Sequence, residues 1–366
     1  MASLPVAQIP AEPVWGIVVG LVIIALMVLI LPFKVKLIEY NLEVFFLIMG
    51  ILSVTVSGLW SRQLVIEALK TPVMIGTLPI GIFQVVLIIG LIIFFFHKQF
   101  HSAVVAVANK LSIGVFIFIL VAVLGLLSSL ISVILTSVLL AEIAACLSID
   151  EKERVKLVVV ACFAIGLGAV LTPLGEPLST ILVQKLAGPP YYAGFTFLFT
   201  TFGKYVFPGV VVTAIFGAIW IGRKTGACEM TRYSETIKSI IVRAVKVYAF
   251  IAALVLLGEG LKPIIVWFFI GVPASALYWI NMVSAILDNA TLTAIEIVPS
   301  MTLSQIVSII MGLCVAGGML IPGNIPNIVA AGKLKIGMRE WAVIGIPIGL
   351  VLLVIYFAVL IPVIFK

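Results

Sequence analysis

A carboxylate and an amide stand side by side at Asp288 and Asn289, inside a stretch that is otherwise apolar. The stretch, residues 283–292, reads VSAILDNATL and is hydrophobic enough to lie within a bilayer. A charged side chain at membrane depth is costly and is retained mainly where it faces a cavity, a partner or an ion. Asp288 is therefore the leading candidate for a functional residue.

The composition places this pair in a membrane protein. The chain has 366 residues, of which 63% are apolar and 10% charged, and its mean hydropathy is +1.36. A soluble domain is closer to half apolar and a quarter charged. Several windows exceed the roughly 18 apolar residues that cross a bilayer. We predict an all-α polytopic protein of the cell (inner) membrane with about 10–12 transmembrane segments.

The charge pattern and the cysteines exclude other classes. The net charge is +7, but the basic residues lie in short loops between apolar segments, as the positive-inside bias expects, and form no nucleic-acid-binding stripe. The longest polar connection, residues 222–246, is basic and is predicted to be cytoplasmic. The four cysteines lack CxxC spacing, which indicates neither a metal site nor a disulfide framework. We expect no enzyme activity, because no nucleophile constellation is present, and no cofactor.

Two long apolar segments are interrupted by proline and glycine. Residues 157–186 contain TPLGEP at 172–177, and residues 303–331 contain IPGNIPN at 321–327. Proline removes a backbone donor and clashes with the preceding helical turn. Freed backbone groups at membrane depth are tolerated only against protein or a water-filled cavity. The sequence therefore predicts two broken helices.

The two breaks belong to an internal repeat. Residues 131–137, ISVILTS, align with 283–289, VSAILDN, and residues 168–177, GAVLTPLGEP, align without a gap with 317–326, GGMLIPGNIP. Corresponding interrupted segments are the best sequence pointer to the central site of a transporter. The basic loops predict that the two halves are inverted in the membrane. The predicted division is: N-terminal transmembrane helices 1–110, repeat 1 at 111–221, the cytoplasmic linker 222–246 and repeat 2 at 247–366.

At these residues the chain resembles the ion transporter superfamily, which holds the NhaD sodium/proton antiporters, ArsB arsenite pumps, CitM citrate carriers and INDY-type sodium–dicarboxylate symporters. The Leu-Asp-Asn at 287–289 looks like the Asp-Asn element of NhaD and ArsB relatives, and residues 322–327 are similar to their Gly/Pro/Asn break. More closely, the chain resembles a small prokaryotic family of uncharacterised proteins classed with cation transporters.

The resemblance covers about residues 113–364. It implies two re-entrant or polar-tipped hairpins facing the broken helices, a cation site in each repeat and a homodimer. The Ser-Asn-Thr tip of the INDY type is absent from both halves, where Thr136–Ser137 and Asp288–Asn289 stand instead.

Sodium prefers oxygen ligands, and broken helices supply them as freed carbonyls at a negative helix end. Two sets of candidate ion- or proton-binding residues follow from the repeat. The first set is Asp288, Asn289, Asn324 and Asn327, and the pseudo-symmetric set is Thr136, Ser137, Thr172, Gly175 and Glu176. Glu142 and Glu296, just beyond the two tips, are either second proton carriers or partners of a neighbouring polar group.

Competition at Asp288 is sufficient for antiport. Desolvation disfavours the charged form of a buried carboxyl group, whereas a bound sodium ion favours it. Sodium and a proton then compete for one group, and alternating access converts the competition into exchange. We predict a sodium/proton antiporter. The alternative is a sodium-coupled anion symporter for a dicarboxylate or oxyanion, for which Lys204 is the one cation deep enough to help.

Structural roles compete with ligation at the same residues. Asp288 could cap a half-helix, because Asp is a strong N-cap residue. Asn289, Asn324 and Asn327 could satisfy backbone groups freed by the break. Glu176 could line a cavity or lie in an interfacial turn.

Overall fold

The computed structural model describes residues 9–10, 12–39, 41–74, 83–84, 87–88, 91–92, 94–96, 99, 102, 106, 110–131, 133–147, 149–221, 236–268, 272–287, 289–297, 299 and 301–364. Within these ranges every regular element is helical. The α-helices discussed below are α1 (Trp15–Lys34), α2 (Lys36–Glu39), α3 (Leu42–Ser57), α4 (Arg62–Lys70), α5 (Ile113–Ile131), α6 (Val133–Cys146), α7 (Glu151–Ala169), α8 (Pro177–Lys185), α9 (Phe197–Ile221), α10 (Ile237–Phe268), α11 (Ala274–Ile280), α12 (Asn289–Glu296), α13 (Leu303–Ala316), α14 (Ile325–Leu334) and α15 (Met338–Ile364). Three 3-10 turns cover Thr71–Val73, Asn281–Ala285 and Ile321–Gly323.

Five of the described helices are long and apolar enough to cross a membrane, namely α1, α5, α9, α10 and α15. Helices α3, α6 and α13 contribute shorter apolar segments. Large apolar side chains such as Val343, Val351 and Val354 are exposed on α15, as expected of a surface that meets lipid. The predicted all-α polytopic membrane protein is confirmed. The number of spans stays a prediction, since most of the predicted third span, residues 73–96, lies outside the described residues.

Helix α10 corrects the predicted boundaries. The sequence predicts one helix over residues 247–258 with the residues before it and another over 263–280, but α10 runs unbroken through Pro263 to Phe268. It also begins within the predicted linker 222–246, most of which lies outside the described residues. A proline inside a helix removes one hydrogen bond and favours a kink rather than a stop where packing holds the helix together. Here α3 lies along α10 and supplies that packing.

Helices α7 and α13, which precede the two predicted breaks, form the centre of the molecule. Residues 157–169 of α7 and 306–316 of α13 are all buried, and the two helices contact each other. Helix α5 packs on α7 and α9 in the first half, and α11 and α15 pack on α13 in the second. The central position of α7 and α13 places both breaks inside the protein.

The two halves interleave around this centre. Helix α14, which follows the second break, packs against α6 of the first half. Helix α8, which follows the first break, packs against α12 of the second half. This reciprocal pairing is the pattern that a pseudo-two-fold axis generates, and it agrees with the repeat read from the sequence.

Candidate functional site

Both predicted helix breaks are present. Helix α7 ends at Ala169 and α8 begins at Pro177, while α13 ends at Ala316 and α14 begins at Ile325. Pro177 and Pro326 therefore occupy the first turns of the restarting helices, where a missing backbone N–H has no helical partner to lose. We call residues 170–176 break 1 and residues 317–324 break 2.

Break 1 is closed by hydrogen bonds to the neighbouring hairpin. The hydroxyl of Thr172 donates to the carbonyl oxygen of Ser129 at 2.5 Å and accepts from the backbone N–H of Leu174 at 3.2 Å. The carbonyl oxygen of Gly175 accepts from the backbone N–H of Val133 at 2.7 Å. Thr172 and Gly175 thus tie the break to the end of α5 and the start of α6.

Thr136 and Ser137 lie in the first turn of α6, beside break 1. Both side chains are buried. Each hydroxyl donates to the carbonyl oxygen of Val133, in the case of Thr136 at 3.0 Å. The structure therefore brings Thr136, Ser137, Thr172 and Gly175 together around Val133, as the repeat predicts.

In break 2, two asparagines bond to the backbone. Asn327 Nδ2 donates to the carbonyl oxygens of Gly317 and Leu320, both at 2.8 Å. Asn324 Oδ1 accepts from the backbone N–H of Ile325 at 2.8 Å and caps α14. The structural role considered for these amides is confirmed, but it uses only one end of Asn327. Its Oδ1 is buried without a hydrogen-bond partner among the described residues.

Asn289 lies against the same break with its amide unpaired. Its side chain is 1% exposed, and neither Oδ1 nor Nδ2 has a hydrogen-bond partner in the described part of the chain. It contacts Gly317, since a Cβ atom built there would lie 2.6 Å from Asn289 Nδ2 and 2.8 Å from Oδ1. An unpaired buried amide costs about 1–3 kcal/mol and calls for an explanation. Asp288, the preceding residue, lies outside the described residues, so its role stays a prediction.

The two breaks meet at the crossing of α7 and α13. Asn324 lies beside Gly166 of α7, because a Cβ atom at Gly166 would stand 2.8 Å from Asn324 Nδ2. The carboxyl group of Glu176 interacts electrostatically with Cys314 of α13. Glu176 is 5% exposed. Glu176 is therefore a buried acid, and whether it lines a cavity stays a prediction.

Glu142 is one half of a buried ion pair. Its Oε1 lies 2.8 Å from the Nζ of Lys333, and the two side chains are 2% and 7% exposed. The second interrupted segment is predicted to end at residue 331, but α14 continues to Leu334 and carries Lys333 against α6. The helical spacing of Pro326, Ala330 and Lys333 is the signal that would have revealed it.

Glu296, the other acid beyond a tip, is also buried, at 6% exposure. The side chain of Asn281, which the sequence analysis missed, lies beside it. Lys204 does not reach this region, because its side chain is exposed on α9 with Nζ 4.9 Å from the ring centre of Tyr205. The cation expected to assist an anion is therefore exposed, whereas the polar side chains of both breaks are buried.

The family model for proteins of unknown function, DUF1646, matches residues 18–364. The chain belongs to this family. The match includes both halves and both breaks, and the family description states no activity. No curated protein matches the sequence. For this DUF1646 chain the function must therefore be argued from the geometry of the breaks.

Proposed function

We propose that the protein is a secondary active transporter that exchanges sodium for protons across the cell (inner) membrane. One observation carries the proposal: Asn289 and Asn327 both contact Gly317, and each has a buried amide oxygen without a hydrogen-bond partner among the described residues. A hard cation takes oxygen ligands, so this is the donor set that a sodium ion requires. Sodium is the substrate in this proposal and not a resident cofactor.

The helix termini at break 2 support a cation. Helix α13 ends at Ala316 and points its C-terminal carbonyl end, which carries partial negative charge, toward the break. The opposing positive end of α14 is capped by Asn324 Oδ1. The local field therefore favours a cation over an anion. The exposed position of Lys204 weakens the alternative anion symporter further, because a dianion needs a positive pocket.

Asp288 supplies proton coupling in this proposal. It precedes Asn289 directly in the sequence, so its carboxylate adds a full negative charge to the amide oxygens. A proton neutralises that charge when sodium is absent, and sodium displaces the proton when it binds. With access alternating between the two sides, one group releases a proton for each cation that it takes up.

The arrangement of the helices supports kinship with the ion transporter superfamily, which we propose together with the homodimer that this kinship implies. Each half contains a hairpin with a polar tip, a helix interrupted inside the protein and a long final helix. The post-break helix of each half pairs with the hairpin of the other. Transporters built from repeats place their substrate at such a repeat interface.

Transport in proteoliposomes with an internal pH dye tests the proposal. Sodium, lithium and potassium gradients are applied separately, and sodium is expected to drive proton movement that Asp288→Asn abolishes. Asp150→Asn, on an exposed acid at the start of α7, is the matched control and retains the activity. Vesicles that stay silent to protons but accumulate labelled succinate with sodium would sink antiport and support the symporter.

Thermal stability of the purified protein gives a second measurement. A ligand that binds only the folded state raises the unfolding temperature. Sodium alone is expected to stabilise the wild type, and less so as the pH falls, because protons then occupy Asp288. Stabilisation that requires an added anion contradicts the proposal.

A further inference from the structure

A second buried polar group lies on the same helix as Asn289. Asn289, Thr293 and Glu296 are spaced four and three residues apart on α12, which places them on one face. All three side chains are buried. The hydroxyl of Thr293 donates to the carbonyl oxygen of Asn289 at 2.9 Å. A polar face therefore runs along α12 from break 2 to Glu296.

The end of this face is a cluster of acceptor oxygens. Both carboxyl oxygens of Glu296 are buried without a hydrogen-bond partner among the described residues. Asn281 lies beside them and donates its Nδ2 to the carbonyl oxygen of Leu277 at 2.9 Å. Asn281 Oδ1 has no donor among those residues either. The two side chains thus lie close together, and three of their oxygens are buried without a hydrogen-bond partner among the described residues.

The charged and titratable groups on the helices packed against α12 do not neutralise Glu296. Helix α12 packs against α8, α10 and α13. Their ionisable residues are Lys185 on α8, Lys238, Arg243, Lys246, Tyr248, Glu259 and Lys262 on α10, and Cys314 on α13. Lys262 pairs with Glu259 at 3.0 Å and Lys246 with Glu43 at 2.8 Å. In the described part of the chain no cation forms an ion pair with Glu296.

Protonation of Glu296 would remove its unpaired charge and would also supply a hydrogen-bond donor. An ionised, unpaired carboxylate is expensive to bury. In its neutral form the carboxyl group carries one O–H donor, and Asn281 Oδ1 can accept from it. We propose that Glu296 and Asn281 form a proton-binding site distinct from the cation site at break 2. Its ligand is the proton itself.

The role of this site rests on the proposed antiport. When a cation binds at Asp288, the O–H bond of the Glu296 carboxyl group breaks as its proton leaves toward the water, and the proton displaced from Asp288 forms a new O–H bond on Glu296. The proton and the charge balance, and no other reactant is needed. Glu296 thus relays the proton that the cation displaces from Asp288, so that the proton and the cation are not carried together.

Infrared spectroscopy tests the site without transport. The purified protein is titrated from neutral to alkaline pH, and the carbonyl stretch of protonated carboxylic acids is followed. Glu296→Gln is expected to remove a band that the wild type shows at neutral pH. Asn281→Leu is expected to shift the band without abolishing it, because the hydrogen bond is lost and the acid is kept. Identical spectra for the wild type and Glu296→Gln overturn the proposal.

Transport of the same variants separates this inference from the proposed function. Glu296→Gln is expected to retain sodium-induced thermal stabilisation and sodium–sodium exchange, while proton efflux falls to the level of empty liposomes. Asp288→Asn loses all three. Glu259→Gln, an acid on α10 that is one-third exposed and ion-paired, is the control and behaves as wild type. Wild-type proton flux in Glu296→Gln contradicts the second site and leaves antiport standing. A transport-silent wild type contradicts antiport, and the infrared result then decides the site alone.

Discussion

Asn289 and Gly317 are in direct contact although they belong to different elements, the start of α12 and the first residue of break 2. A methyl group on Gly317 would stand 2.6 Å from the Asn289 amide nitrogen and 2.8 Å from its oxygen. At these distances the Asn289 amide would have to move away from the added methyl group. The absence of a side chain at Gly317 is therefore what allows the unpaired amide to reach the break.

Gly317→Ala tests this contact. The added methyl group displaces Asn289, so we expect stabilisation by sodium to disappear while the protein still folds. Gly332→Ala is the matched control, because Gly332 lies in α14 with open space around it. Replacing a helical glycine by alanine there should stabilise by up to about 1 kcal/mol. The measurement is the unfolding temperature with and without sodium, and equal shifts in both variants would contradict the site.

The ion pair between Glu142 and Lys333 predicts that the double variant is more stable than either single variant. Glu142→Gln or Lys333→Met each leaves one buried charge unpaired and should destabilise by about 3–5 kcal/mol. Glu142→Leu combined with Lys333→Met removes both charges and should recover most of that loss. Chemical denaturation in detergent measures the free energies of unfolding. Additive losses in the double variant would show that the pair is not coupled.

The hydrogen bonds of the Asn327 amide predict that its removal destabilises break 2. Asn327→Ala leaves the carbonyl oxygen of Gly317 without the donor shown here, and we expect a loss of about 1–3 kcal/mol in the free energy of unfolding. The control is Asn41→Ala, since Asn41 donates to Leu37 of its own exposed turn and should change stability by less than about 0.5 kcal/mol. Equal effects at both positions would argue against a special role for break 2.

The hydrogen bonds of the Thr172 hydroxyl predict that its removal destabilises break 1. Thr172→Val keeps the shape but removes the bonds to Ser129 and Leu174, for an expected loss of about 1–3 kcal/mol. Thr200→Val removes a hydroxyl that bonds only within its own exposed turn and should be nearly neutral. Hydrogen exchange of the backbone N–H of Leu174 should quicken in the first variant alone.

The sequence predicts the breaks and the order of the repeat because these features depend on residues that are close together in the chain. Each proline at 173, 177, 322 and 326 removes a backbone donor, and two prolines within five residues favour a break in the helix. The same local rule fails at Pro263, where α3 packs along α10 and holds the helix continuous. A stop signal is therefore decided by the neighbouring helix as well as by the residue.

Partners that lie on different elements of the chain could not be predicted. The pairing of Glu142 with Lys333 and the approach of Asn281 to Glu296 depend on which helices meet. A single sequence shows the periodicity of each helix, but it does not show which helix packs against it. The neutral tip, Thr136 and Ser137, was predictable as a counterpart of Asp288 and Asn289, whereas its return bonds to Val133 were not.

Helix α6 contacts break 1 at one end and, further along, the helix that follows break 2. It begins at Val133, whose N–H is bonded to Gly175 of break 1, and it carries Glu142, which holds Lys333 on the helix after break 2. A displacement of α14 is thus transmitted through one rigid rod to the opposite repeat. The contacts of α6 alone can therefore couple the positions of the two repeats.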